Sequence, residues 1–249
     1  MIYEASKFVF YAPAEISRAR KVLIKPNAGY PLPHPITTSR ETLEAVIAGI
    51  RRAGDADILL IEGSSPQHSS REIFRTLGYQ FPRVTVLDVR DCFYVEIENP
   101  LPKPFALPTV WVPNVLLSCD YLISVSTYKI FGSNGSFSLK NLIGLLPPSK
   151  YGGDGTAARY NLRRLGIQNV VADLYFTIPF DLGIVDARQK FVSVDGPTQG
   201  TIEDFGMIFI GEPYAVDVEA SQAAGIETEY LRLIAEGREQ LALQEDLLP

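Results

Sequence analysis

Lys21-Val22-Leu23-Ile24-Lys25-Pro26-Asn27 decides the fold class. An apolar run this short, bounded by lysines and stopped by Pro26-Asn27, reads as a buried strand ending in a turn. Outward from it the pattern repeats. A loop holding Pro26, Pro31, Pro33 and Pro35 follows. Thr37, Thr38 and Ser39 then offer a helix cap with Glu41 in the first turn. Leu43, Val46, Ile47 and Ile50 fall at helical spacing, and Gly54 stops the helix. Asp57–Ile61 is the next strand and runs into Glu62-Gly63-Ser64-Ser65. A helix from about Ser69 to Leu77 leads to a strand at Val84–Asp88. This βαβαβ order implies parallel strands joined by right-handed crossovers.

The rest of the chain extends that reading to an α/β fold, a mostly parallel but mixed sheet flanked by helices. Alternation at Phe93, Val95 and Ile97, broken by Pro100, Pro102, Pro104 and Pro108, predicts a small β excursion near residues 93–112. Tyr121–Val125 returns as a buried strand. Residues 126–164 read as a glycine-rich loop with a helical turn near Leu139–Leu145. Beyond it come a helix around Gln168–Phe176 and strands at Gly183–Asp186, Phe191–Val194 and Gly206–Ile210. Helices near Ala215–Ala224 and Glu227–Glu236 follow. Residues 1–249 form one α/β domain, or two intimately packed lobes at about 1–125 and 126–249.

Composition removes several functions. With 249 residues, 46% hydrophobic and 21% charged, the chain can bury a large core. A net charge of −6 argues against a nucleic-acid partner. No run of 18 apolar residues exists, since Asp120 interrupts the best candidate, so no membrane span is expected. The first residues lack the basic-then-apolar pattern of a signal peptide, which points to a cytoplasmic protein. Cys92 and Cys119 are the two cysteines. They form no CxxC pair and cannot supply an iron–sulfur cluster or a zinc knuckle, so they read as buried small side chains in a reducing compartment. His34 and His68 show no zinc-binding spacing, and no Gly-x-Ser-x-Gly elbow is present.

Charge is unevenly distributed. Residues 126–164 hold Lys129, Lys140, Lys150, Arg159, Arg163 and Arg164 against Asp154, while residues 165–249 are strongly acidic. A basic, glycine-rich segment after a buried strand suits an anion, because glycine lets backbone N–H groups approach and lysine adds charge. A solvated basic face is the bland alternative. Gly132 to Ser136 followed by Lys140 matches a P-loop only loosely, and GxGxxG is absent. Ser136 or Ser138 could cap a short helix presenting Lys140 and Asn141 to one anion. Asp181, Asp186, Asp195 and Asp217 lie at strand ends, turns or helix starts. Converging on the lysines they would make a proton-transfer or Mg²⁺ site; singly each can be structural.

Four pieces stand in a recognisable order: Ile24-Lys25-Pro26-Asn27; Thr37-Thr38; Lys129 ahead of Ser138-Leu139-Lys140-Asn141-Leu142-Ile143-Gly144; and Val185-Asp186 with Gly196–Gly200 and Ala215-Val216-Asp217. Together they resemble the DUF362 family over about residues 20–225. The resemblance implies an α/β protein with basic and acidic residues gathered at one site. It differs in two places. The histidine many members carry shortly after the lysine matching Lys129 is replaced by Ile130-Phe131, and the cysteine-rich ferredoxin-like insertion is missing. A distant similarity to lactate-racemase-like proteins stops at the histidines their chemistry would need.

Two functions follow as expectations. In one, the chain is an enzyme for a small anionic metabolite, phosphate or carboxylate. Lys129, Lys140 and Asp186 would be its catalytic groups and Lys25, Asn27, Asn141 and Asp217 its ligand-binding groups, with Mg²⁺ an open cofactor. In the other it is a non-catalytic ligand-binding or assembly protein. Tyr3, Phe8, Phe10 and Tyr11 would then supply an aromatic edge strand for a partner or homodimer.

Overall fold

The computed structural model describes residues 1–63, 65, 67–152, 160–194 and 196–245. In chain order its elements are β1 (Ile2–Glu4), β2 (Lys21–Pro26), α1 (Arg40–Ala53), β3 (Asp57–Glu62), α2 (Ser70–Thr76) and β4 (Val84–Asp88). Next come β5 (Tyr94–Glu98), β6 (Thr109–Pro113), β7 (Tyr121–Phe131), β8 (Asn134–Ser136), α3 (Pro148–Tyr151) and α4 (Tyr160–Arg164). The chain continues with α5 (Ile167–Thr177), β9 (Leu182–Ser193), β10 (Thr201–Gly211), α6 (Pro213–Ala224) and α7 (Glu229–Glu245).

Among the described residues the main sheet has eight strands in the order β1-β10-β9-β7-β2-β3-β4, with β8 paired to β7. The central run β9-β7-β2-β3-β4 is parallel, and β10, β1 and β8 are antiparallel additions. The α/β reading is therefore correct, and β5–β6 is the predicted excursion, a two-stranded hairpin.

Alternation along the strands sorts the helices. Val22 and Ile24 of β2, Ile58 and Leu60 of β3 and Ile123 and Val125 of β7 pack against Leu43, Val46 and Ile50 of α1 and Ile73 and Phe74 of α2. Leu23, Ile61 and Leu122 face the other way. They meet the β6 residues Val110 and Val112, then Val170, Val171 and Leu174 of α5 and Tyr230 and Ile234 of α7. α6 joins that second face by packing Val216 and Ala220 against Val185, Ala187 and Phe209. The chain winds from β2 outward through β3 and β4, then restarts at β7 on the opposite side of β2. Right-handed crossovers consequently put α1 and α2 on one face and the β7-to-β9 helices on the other. The reversal of strand order lies between β2 and β7, and open α/β sheets bind ligands outside the carboxyl ends of the strands at such a point.

The structure corrects several expectations. β7 does not end at Val125 but continues to Phe131, because β9 runs on beside it and β8 folds back along its last residues, taking up its backbone groups beyond the end of β2. Lys129 thus stands on a strand, not in a glycine-rich loop. Lys140 lies in a 3-10 segment, Lys140–Leu145, and Lys150 in α3. Arg159 and Asp154, like Asp195 and Ser64, lie outside the described residues. The 3-10 segment has no side-chain cap, since the Ser138 hydroxyl is drawn to Asp217 instead. Gly183–Asp186 and Phe191–Val194 are not two strands but parts of β9. Asp217 is inside α6, whose start is capped by the Glu212 side chain.

The N-terminal stretch serves the chain's own fold. Ile2, Tyr3 and Glu4 pair with Phe209, Ile208 and Met207 of β10, Tyr3 packs edge-on against Phe8, and Phe10 is buried. Of the four aromatics proposed as a partner surface, Tyr11 is the strongly exposed one, at 78%. Both cysteines are free and half-buried, not fully enclosed.

Candidate functional site

The carboxyl ends of β2, β3, β7 and β9 carry a dense set of buried polar side chains, in two groups on either side of Asn27. The first is built on Lys25. Its ammonium is fully buried and donates to Glu62 Oε2 at 2.8 Å, to the Pro26 carbonyl at 2.7 Å and to Asn141 Oδ1 at 3.2 Å. Asn141 Nδ2 in turn donates to the Lys25 carbonyl and to Ser124 Oγ, whose hydroxyl donates to the Ser138 carbonyl. Glu62 also accepts from the Ala28 and Gly63 N–H groups. Lys25 and Asn141, predicted from distant stretches, therefore do meet. They meet inside the protein, where they fix the ends of β2 and β3 to the 3-10 segment.

The second group is built on Lys129 and Asp186. Lys129 is 4% exposed, and its ammonium donates to the Ile36 carbonyl at 2.5 Å and reaches Asn27 Oδ1 at 3.5 Å. The proline loop is thereby pinned over the end of β7. A few residues on, the same loop is tied to β9. Asp186 Oδ2 accepts from the Ser39 hydroxyl at 2.5 Å, the Thr42 hydroxyl at 2.8 Å and the Ser39 N–H at 3.3 Å. Ser39 is the N-cap of α1, so this carboxylate sits on the positive end of a 14-residue helix. Burial raises the Asp186 pKa, but the charges of His34 and Arg188 and these hydroxyl donors outweigh it, leaving the carboxyl below its usual range.

A bulge aims Arg188 at this carboxylate. Thr127 is in register with Asp186 and Tyr128 with Lys190, so residues 187–189 of β9 have no match on β7. On the other flank the register slips between Asp204 and Met207, at Gly206, whose φ of 74° suits glycine. The bulge returns the Arg188 guanidinium to Asp186 Oδ1 at 3.1 Å and to the Ser39 and Thr42 hydroxyls.

His34 and Thr127 complete the group. His34 Nδ1 is 3.7 Å from Asp186 Oδ2, too long for a hydrogen bond. Among the described residues, neither His34 nitrogen nor the Thr127 hydroxyl makes a hydrogen bond of good geometry, although all three atoms are buried; the Thr37 backbone lies close enough to the imidazole to oppose the lowering of its pKa. Burial lowers the His34 pKa below 6.5, with Asp186 opposing and Arg188 assisting the shift.

The remaining predicted residues lie apart. Lys140 packs its ammonium 4.9 Å from the Phe131 ring centroid. Asp217 is fully buried and accepts from the Ser138 and Leu139 N–H groups and the Ser138 and Tyr230 hydroxyls. Burial outweighs those donors and pushes its pKa up to about 6. Asp217 belongs to α6 and Asp186 to the α1 face, so the sheet separates them and the expected convergence of aspartates does not occur. Among the described residues no group of three or more His, Cys, Asp or Glu side chains is placed to hold a metal ion. Two surface grooves, of about 260 and 560 Å³, lie at the opposite end of the strands beside Tyr175, Phe176, Ile178 and Pro179, and none of the predicted site residues lines them.

The family described as "Domain of unknown function (DUF362)" matches residues 22–222, which span β2 through most of α6. The chain belongs to the DUF362 family. No curated protein matches it in sequence. In structure this DUF362 chain is similar to the lactate racemase apoprotein from Thermoanaerobacterium thermosaccharolyticum, with a TM-score of 0.56 and 13% identity. The similarity covers 88% of this chain and 53% of that one, so the chain spans about half the length of the racemase. At that identity the shared property is the fold. No helix among the described residues is long and apolar enough to cross a membrane.

Little in the linear sequence of this DUF362 member marks His34, Thr127 and Arg188 as neighbours of Asp186. His34 lies in a proline loop with no ligand spacing. Thr127 looks like part of a loop until β7 is extended. Arg188 carried one signal, its place two residues from Asp186 on a strand, where alternate side chains share a face.

Proposed function

We propose that this protein binds a small anionic metabolite, a carboxylate or phosphate, at the carboxyl ends of β2, β7 and β9, and that it does so as an enzyme of small-molecule metabolism. The observation carrying this reading is the buried Lys129 ammonium held on Asn27 and Ile36 beside the sheet's switch point. Arg188, whose side chain is 25% exposed, supplies a second cation at the same rim. A charged donor held out of water interacts more strongly with an anion than a surface lysine does.

In this reading Lys129 and Arg188 attract the anion and Asn27 orients it. Asp186 acts as the orienting carboxylate between α1, His34 and Arg188. Lys25, Asn141 and Asp217 are positioning residues: the first two fix the end of β2, and Asp217 fixes the turn that carries Lys140. The similarity to a lactate racemase makes lactate a reasonable first carboxylate to try.

Isothermal titration with sodium lactate and with inorganic phosphate tests the proposal, alongside thermal unfolding at saturating ligand. Saturation at 100 times Kd adds about 2.7 kcal/mol of stability. Binding by wild type and its loss in Lys129→Met, with the circular dichroism spectrum unchanged, is the expected result. Absence of heat and of any melting shift with either anion overturns it.

A further inference from the structure

We propose that His34 and Thr127 form a recognition subsite for a neutral hydroxyl carried next to the ligand's acid group, so that the preferred ligand is a small hydroxycarboxylate. The inference rests on the anion reading above and narrows its ligand class.

Both side chains border Asp186, one through its register on β7 and the other by its 3.7 Å approach. Buried polar atoms in native proteins are nearly always paired, and leaving one unpaired is costly. Three orphaned atoms around one carboxylate, in a core where Ser39, Thr42, Ser124 and Ser138 all find partners, mark a place made for a further polar group.

The chemistry of that group follows from the atoms that face it. Burial favours the neutral imidazole, which offers one donor and one acceptor, and the threonine hydroxyl likewise offers both. An anionic oxygen needs donors alone and would be repelled by Asp186. A hydroxyl, which donates and accepts, satisfies both residues. The acid group then points away from Asp186 toward Lys129. The outer wall is accessible, with His34 and Arg188 side chains 13% and 25% exposed.

Lactate and propionate differ by this hydroxyl and share the carboxylate. Their dissociation constants are to be compared by titration calorimetry on wild type, Thr127→Val and His34→Gln. Thr127→Val removes an orphaned hydroxyl at nearly constant shape, so its melting temperature stays equal or rises. The expected result is lactate bound at least about tenfold tighter than propionate by wild type, with the ratio falling to about one in Thr127→Val and shrinking in His34→Gln. Equal binding of both acids by wild type overturns the hydroxyl subsite and leaves the anion site standing, the orphaned atoms then facing water only. No binding of lactate, propionate or inorganic phosphate overturns both.

Discussion

Two carboxylates define the residue scale, and they behave oppositely. Glu62 is an ion-pair partner held in the interior, 1% exposed and 2.8 Å from the Lys25 ammonium. Removing one member of such a pair costs about 3–5 kcal/mol, because the other charge stays out of water. Lys25→Met is therefore expected to lower the urea-unfolding free energy by that amount. Lys25→Met with Glu62→Gln should recover more than about 1 kcal/mol of it, a coupling read from the double-mutant cycle. Asp217 has its pKa raised from 3.8 to about 6, so the folded state holds its proton more tightly than the unfolded chain. Its contribution is present in full below 3.8 and is lost as pH rises through about 6. Urea midpoints should accordingly carry a component that falls across this window, and Asp217→Asn should flatten it. The variant should also be less stable throughout, since its amide N–H₂ faces other donors. An unchanged profile in the variant would refute the assignment.

Helix α1 shows how an element obeys a rule that its neighbours then invert. Its start and stop are readable: Ser39 accepts from the Thr42 N–H as the cap, and Gly54 closes the end. Gly49 lies mid-helix, where alanine is ordinarily better by about 0.5–1 kcal/mol. Here a methyl at that position would lie 2.3 Å from the Phe10 carbonyl oxygen and 2.5 Å from its ring. Gly49→Ala should thus destabilise by about 1–3 kcal/mol, as overpacking does, with a lower melting temperature as the readout. Strand β7 is the converse case. Ser126-Thr127-Tyr128-Lys129 is too polar to read as a buried strand, yet all four are buried, because β9 pairs with it and the site lies along it.

At the scale of the molecule, β1 covers β10 and is itself the outermost strand on the antiparallel side. Its three residues cover Met207–Phe209 of β10, which would otherwise present free backbone groups. Deleting residues 1–4 is expected to give dimers or larger species by light scattering under conditions where the full chain does not form them. An unchanged mass distribution at about 10 mg/mL would show that β10 needs no cover. The N-terminal aromatics are thus partly used by the chain's own sheet, while β1 is itself the outermost strand on that side and pairs with β10 alone among the described residues.

The sequence by itself determined the α/β class, the parallel core, a small β excursion and the family. Each of these rests on local periodicity, turn residues or ordered motifs, which survive in a linear reading. Lys25, Asn27, Lys129, Asn141 and Asp186 were singled out by residue type and by their place in short ordered motifs. The tertiary structure decided which of them share an environment. Lys25 turned inward to Glu62, Asp217 went to the far face of the sheet, and His34 was brought beside Asp186 across 152 positions of chain. Such pairings depend on strand order, on register and on a three-residue bulge in β9. These arise from how distant segments bury one another, and no local stretch of sequence encodes them.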